Sequence, residues 1–193
     1  SLRGFYPKHF ELEAVTMDPG FYKVGMGDEG ETREGFARLA ALCEQLDVRF
    51  TLFETELARL IFDERKEKNP CSLCARMRRG MLHDHAKELN CNKIALGHHF
   101  DDAVETFMMN LFNEGRIACF SPVTYLDRKK ITMIRPLVYA PEKDIRYFIN
   151  HSDLPVLGSP CPMDKTSDRE RYKKMLAAMD RENKGLKHRI LGA

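Results

Sequence analysis

A chain of 193 residues, 43% of them hydrophobic, is long enough for one full α/β domain but not for two cores of equal size. Lys and Arg (31) nearly cancel Asp and Glu (29) to leave a formal charge of +2, so only local clustering can argue for a nucleic-acid partner. No stretch approaches the roughly 18 apolar residues of a membrane span, and no basic-then-apolar leader pattern opens the chain; a soluble, cytoplasmic protein is expected.

The first element, Phe10 to Met17, alternates apolar and polar before the turn residues Asp18, Pro19 and Gly20, as a strand does. Phe36, Leu39, Ala40, Cys43 and Leu46 then recur at helical spacing, and Val48, Phe50 and Leu52 follow with period two. A second helix is predicted from Thr55 to about Lys66, and Pro70 disfavours helix at Asn69. Ser72 to Leu89 is helix-compatible and feeds a short strand, Lys93 to Gly97, which ends at the polar group HHFDD. Ala103, Val104, Phe107, Met108, Leu111 and Phe112 share a helical face. Ile131 to Ile134 reads as a strand ending in Arg135-Pro136, and Pro141 suits the first turn of a helix to about Asn150. A short extended piece, Pro155 to Leu157, leads to Cys161, and a charged helix is predicted from Thr166 to Ile190. This alternation predicts an α/β fold, a mostly parallel sheet with helices on both faces. Ligands of such sheets sit beyond the carboxyl ends of the strands, which points to Asp18, to His98 to Asp102 and to Arg135.

Six cysteines, at 43, 71, 74, 91, 119 and 161, are spread too irregularly for a disulfide scaffold. Cys43, Cys91 and Cys119 read as small buried hydrophobes. Cys71 and Cys74 form a CxxC, which alone fits half a zinc site, a redox dithiol or part of an iron-sulfur site. The redox motif belongs just after a strand, whereas this one follows Asn69-Pro70 and leads into Ala-Arg-Met-Arg-Arg-Gly. A structural zinc needs four ligands, and beyond Cys161 only Asp164 offers itself. Three thiolates without a fourth suit a four-iron cluster with one open iron.

In Leu96 to Asp102, Gly97 permits close backbone approach. One of Asp101 and Asp102 can cap the following helix, which leaves the other for magnesium or a proton. Arg76, Arg78 and Arg79 cannot share one helix face, so at least one is plain surface while the others suit phosphate. The basic residues of the last segment, Arg169, Arg171, Lys173, Lys174, Arg181, Lys184, Lys187 and Arg189, fit either a nucleic-acid backbone or a solvated helix.

CSLCARMRRG, then IALGHHFDDAVET, then IRPL, then an isolated Cys161 together resemble the TtcA-like tRNA thiolases, PP-loop enzymes that make 2-thiocytidine in tRNA. The likeness runs from about Phe10 to Arg171. It implies an adenine-nucleotide-hydrolase-like fold spanning residues 1–193, ATP and magnesium, and a 4Fe-4S cluster on Cys71, Cys74 and Cys161, with zinc as the alternative metal. It implies Asp102 as the catalytic aspartate with Asp101 beside it. Gly97 and His98 fall in the nucleotide-binding group, Arg78 near the phosphates, and Thr16, Met17 and Asp18 at the strand end near the adenine. Arg76, Arg79, Arg135, Lys173 and Lys174 are the expected RNA contacts.

The implied reaction adenylates a tRNA pyrimidine, with cytidine C2 expected, and inserts sulfur. A cysteine desulfurase system as donor and a homodimer are further expectations. Rival readings are a PP-loop enzyme acting on another base or a small molecule, and a non-catalytic RNA- or metal-binding module. The family's phosphate loop, Ser-Gly-Gly-Lys-Asp-Ser, should precede the Phe10 strand and is not in the sequence; the first strand and loop are expected to lie upstream of Ser1.

Overall fold

Strand β1 (Glu13–Asp18) pairs in parallel with β2 (Arg49–Glu54), Glu13 opposite Arg49 and Asp18 opposite Glu54. Parallel neighbours need a crossover, and α1 (Glu29–Gln45) supplies it. Asp28 starts that helix: its Oδ1 accepts the Glu31 N–H at 2.7 Å, and Glu29 and Glu31 in the first turn complement the positive end of the helix dipole. The computed structural model describes residues 2–66, 70–164 and 167–192. It divides into two compact units, Ser1–Arg78 with Leu154–Cys161, and Arg79–Asp153 with Pro162–Ala193.

In the first unit the strand expected from Phe10 begins only at Glu13, where pairing with β2 begins. The helix expected over 55–66 is shorter and irregular. It consists of α2 (Leu57–Arg59) running into a π-helical segment, Leu60–Arg65, which ends at Lys66 with a φ of 45°. Leu57, Ala58 and Ile61 are almost wholly buried there, and the Phe62 ring lies 6.2 Å from that of Phe21. The break foreseen at Asn69 lies outside the described residues. Helix α3 (Pro70–Glu88) opens at Pro70 rather than Ser72, because proline's fixed φ and missing N–H suit a first helical position.

The second unit holds β3 (Lys93–Ala95), α4 (Phe100–Glu114), β4 (Val123–Leu126), β5 (Ile131–Ile134), α5 (Glu142–Asn150), α6 (Asp168–Glu182) and α7 (Leu186–Leu191). The strand order is β3-β5-β4, parallel between β3 and β5 and antiparallel between β5 and β4. Phe100, Val104 and Met108 of α4 pack with Tyr172 and Leu176 of α6 into one core, against which Ile190 and Leu191 of α7 also rest. Leu176 is fully buried, which stabilises by about 1.5–3 kcal/mol relative to exposure. The predicted charged helix is not continuous. Its expected start at Thr166 lies outside the described residues, and it breaks at Asn183–Gly185, where Gly185 takes a φ of 81° that glycine alone adopts without strain.

Candidate functional site

The two aspartates that follow β3 have different surroundings. His99 is the N-cap of α4, and Asp102 closes the capping box: Oδ2 accepts the His99 N–H at 3.0 Å, while the Asp102 N–H points to His99 Nδ1 at 3.4 Å. His99 is thus the cap and Asp102 its partner in the capping box, while Asp101 takes no part in it. The other oxygen of Asp102, Oδ1, accepts from Arg169 Nη1 at 2.9 Å. Asp101 is buried, with Oδ2 accepting the Glu142 N–H at the start of α5 at 2.8 Å and Oδ1 meeting Lys187 Nζ of α7 at 2.7 Å. Burial pushes the Asp101 carboxyl up, but the Lys187 ammonium and the Glu142 N–H outweigh it and hold it below its ordinary value. Both carboxylates of the motif are thus met by cations of the C-terminal helices, which sequence reasoning gave to RNA or solvent.

Glu105, one turn beyond Asp102, was missed. It is 4% exposed, and its carboxylate accepts from Arg169 Nη1 at 3.2 Å. Burial pushes its carboxyl up to about 7 against the opposing pull of Arg169. The only sequence signal was its position three residues after Asp102, which sets both on one side of the helix.

Gly97 is exposed, and a Cβ built there would meet nothing within 4 Å, so the backbone after β3 is open to a ligand. The His98 ring lies 5.0 Å from that of Phe120, and the Arg135 guanidinium lies 4.8 Å from the same ring. Arg135 is buried, and its Nη1 donates to Ser121 O and to Thr124 Oγ1. Nη1 thereby ties the guanidinium to Ser121, before β4, and to Thr124 within it. Lys173 Nζ sits 2.7 Å from Glu142 Oε2, so its charge is offset within the protein. Lys174 reaches Glu170 only at 3.8 Å and stays exposed, as do Arg76, Arg78 and Arg79.

In the first unit, Thr16 and Met17 lead β1 into Asp18, whose buried Oδ1 accepts the Gly20 N–H at 2.8 Å while its carbonyl accepts from Thr55 N–H and Oγ1 at 2.9 Å. The carboxylate is committed to this turn, so the strand end offers backbone and neighbouring side chains to a ligand. The three cysteines singled out from the sequence all fall in this unit. Cys71 and Cys74, three apart in the first turn of α3, face one side of the helix. Burial pushes the Cys74 thiol up, Arg78 opposes this, and Cys161 and Cys71 add to the rise. Cys161 ends a segment held by two close approaches. A Cβ on Gly27, which has a φ of 88°, would lie 2.7 Å from Pro160 Cβ, and one on Gly35 would lie 3.0 Å from Leu157 Cγ. Among the described residues no three cysteine, histidine or carboxylate groups are gathered where a single metal ion would bind them all.

Residues 29–179 match the PP-loop domain family. A tRNA-cytidine(32) 2-sulfurtransferase of Syntrophotalea carbinolica is 36% identical over 198 aligned residues, covering 100% of this chain and 72% of that protein. The chain belongs to this family of PP-loop proteins. Its member from Geobacter sulfurreducens is also 36% identical, with 100% of this chain and 72% of that protein covered. Among solved structures, the U34-tRNA thiolase NcsA from Methanococcus maripaludis with its 4Fe-4S cluster shares the fold, with a TM-score of 0.72 at 24% identity over 98% of this chain and 62% of that one. As a 2-sulfurtransferase family member, the chain is a PP-loop enzyme of the transferase class. No helix among the described residues is long and apolar enough to cross a membrane.

Proposed function

We propose that this protein is an ATP-dependent tRNA sulfurtransferase that replaces the C2 oxygen of a tRNA cytidine by sulfur. What carries the reading is the alignment of the whole chain with tRNA-cytidine(32) 2-sulfurtransferases, together with the acidic strand end that a nucleotide-dependent step needs. A pyrimidine carbonyl oxygen is a poor leaving group. It attacks the α-phosphorus of ATP, the bond to pyrophosphate breaks, and the oxygen becomes part of a good leaving group. A sulfur nucleophile then adds at C2 and AMP departs with the oxygen.

Asp102, fixed at the start of α4, is the carboxylate we assign to the nucleotide, with Asp101 as its buried support. We also assign Gly97 and His98, after β3, and Thr16 to Asp18, at the end of β1, to nucleotide binding, and Arg78 to its phosphates. Cys71, Cys74 and Cys161 form a soft donor set suited to an iron-sulfur cluster, of the kind present in the M. maripaludis thiolase. Bound there, such a cluster would supply an iron position for the incoming sulfur. Arg76, Arg79 and Lys174 are the exposed cations we assign to the tRNA backbone. A cytoplasmic homodimer fed by a cysteine desulfurase completes the proposal.

The test is a nucleoside comparison by mass spectrometry of tRNA from strains with and without the gene. Loss of 2-thiocytidine alone is the expected result. Loss of a thiolated uridine instead would move the substrate to the base named for the M. maripaludis thiolase, and no change in any thionucleoside would overturn the sulfurtransferase reading.

A further inference from the structure

We propose that Arg169 is a positioning residue for Asp102, an inference that rests on the assignment of Asp102 to the nucleotide step. The two oxygens of Asp102 have separate donors, the His99 N–H at 3.0 Å on Oδ2 and Arg169 Nη1 at 2.9 Å on Oδ1. The carboxylate cannot turn about its Cβ–Cγ bond without giving up one of them. Arg169 is itself fixed, because Nη1 also reaches Glu105 Oε2 at 3.2 Å and Nη2 reaches Thr106 Oγ1 at 3.2 Å.

Positions 102, 105 and 106 are spaced i, i+3 and i+4, so their side chains line one side of α4. One planar guanidinium spans all three acceptors. A lysine at 169 would keep the charge but not the fork, and would lose the geometry that sets the angle of Asp102. The competing account makes Arg169 a staple between α4 and α6 with no bearing on the reaction.

Comparing Arg169→Gln, Arg169→Lys, Asp102→Asn and the Asp102→Asn/Arg169→Gln double variant, in the full chain, separates the two accounts. The readouts are tRNA-dependent pyrophosphate release from ATP and the thermal midpoint. Arg169→Gln is expected to lower kcat about ten- to hundredfold, the usual consequence of a displaced active-site group, with KM for ATP within about twofold. Arg169→Lys is expected to fall between Gln and the native residue, and the double variant to be no slower than Asp102→Asn alone, because removing the positioned group removes the need to position it. A staple would lower the thermal midpoint while kcat per folded molecule stayed native; that result, or a double variant showing the product of both losses, overturns the inference. A native kcat in Arg169→Gln with an inactive Asp102→Asn overturns the inference alone, whereas a native kcat in Asp102→Asn overturns the assignment beneath it. Should Arg169→Gln fail to fold, Arg169→Lys decides: reduced kcat at unchanged KM supports the role, and native kcat overturns it.

Discussion

Lys187 Nζ lies 2.7 Å from Asp101 Oδ1, joining the last helix to the first turn of α4 across 86 residues of sequence. The same carboxylate accepts the Glu142 N–H, so one buried group ties α4, α5 and α7 together.

Removing that charge should loosen all three helices. Asp101→Asn and Lys187→Met are each expected to cost about 1.5–3 kcal/mol, the range for a hydrogen bond to a charged group, read as a shift in the urea midpoint at pH 7. The double variant should cost clearly less than the sum of the two.

Glu105 predicts a pH dependence of the opposite sense to the usual carboxylate. Its folded-state value is raised to about 7 by burial, with Arg169 opposing, while an unfolded glutamate titrates near about 4.3. The native state therefore holds a proton that the unfolded state has lost. The resulting stabilisation is full below the unfolded value and disappears as pH rises through about 7. Glu105→Gln, which cannot ionise, should gain stability relative to the native protein between pH 5 and pH 8 in urea titrations at the two pH values. A constant difference would show that Glu105 is ionised throughout.

The segment carrying Cys161 should be sensitive to the glycines beneath it. Gly27→Ala adds a methyl 2.7 Å from Pro160 Cβ at a φ of 88°, a combination of overlap and backbone strain expected to cost about 1–3 kcal/mol. Iron retained per chain after anaerobic purification should fall with it. Gly158→Ala, where a Cβ meets nothing within 4 Å, should retain native iron content.

The cations assigned to tRNA divide by their partners. Arg76→Ala, Arg79→Ala and Lys174→Ala should each weaken tRNA binding and flatten the log–log salt dependence by about 0.7–0.9 per lost contact. Lys173→Ala, whose native partner is Glu142, should lower stability and leave the salt slope unchanged.

Much of this architecture was legible in the sequence because local pattern and tertiary demand agree. The apolar stripe of α4 and the run Ile131 to Ile134 correspond to the observed elements, whereas the cap expected of an aspartate falls to His99, with Asp102 as its capping-box partner. Strand β4 was not legible: it has four residues, with Val123 and Tyr125 exposed, and only its pairing with β5 makes it a strand. The break of the C-terminal helix was hidden because one glycine among charged residues is tolerated in a helical pattern. Nor did spacing show that Arg169 and Lys187 turn inward onto Asp102 and Asp101. An arginine on a charged helix looks the same whether it faces water or a carboxylate 67 positions away, since only the packing of α6 and α7 on α4 decides it. Cys71 and Cys74 announced themselves by spacing, whereas Cys161 acquires meaning from the fold, which returns its segment to the unit that holds the other two.

The most direct test of the sulfurtransferase account is complementation of a strain lacking the gene, with tRNA nucleosides read by mass spectrometry. The account predicts that the native full-length gene restores 2-thiocytidine while Asp102→Asn and Cys161→Ser variants of equal abundance do not. Restoration to the native level by both variants would contradict it.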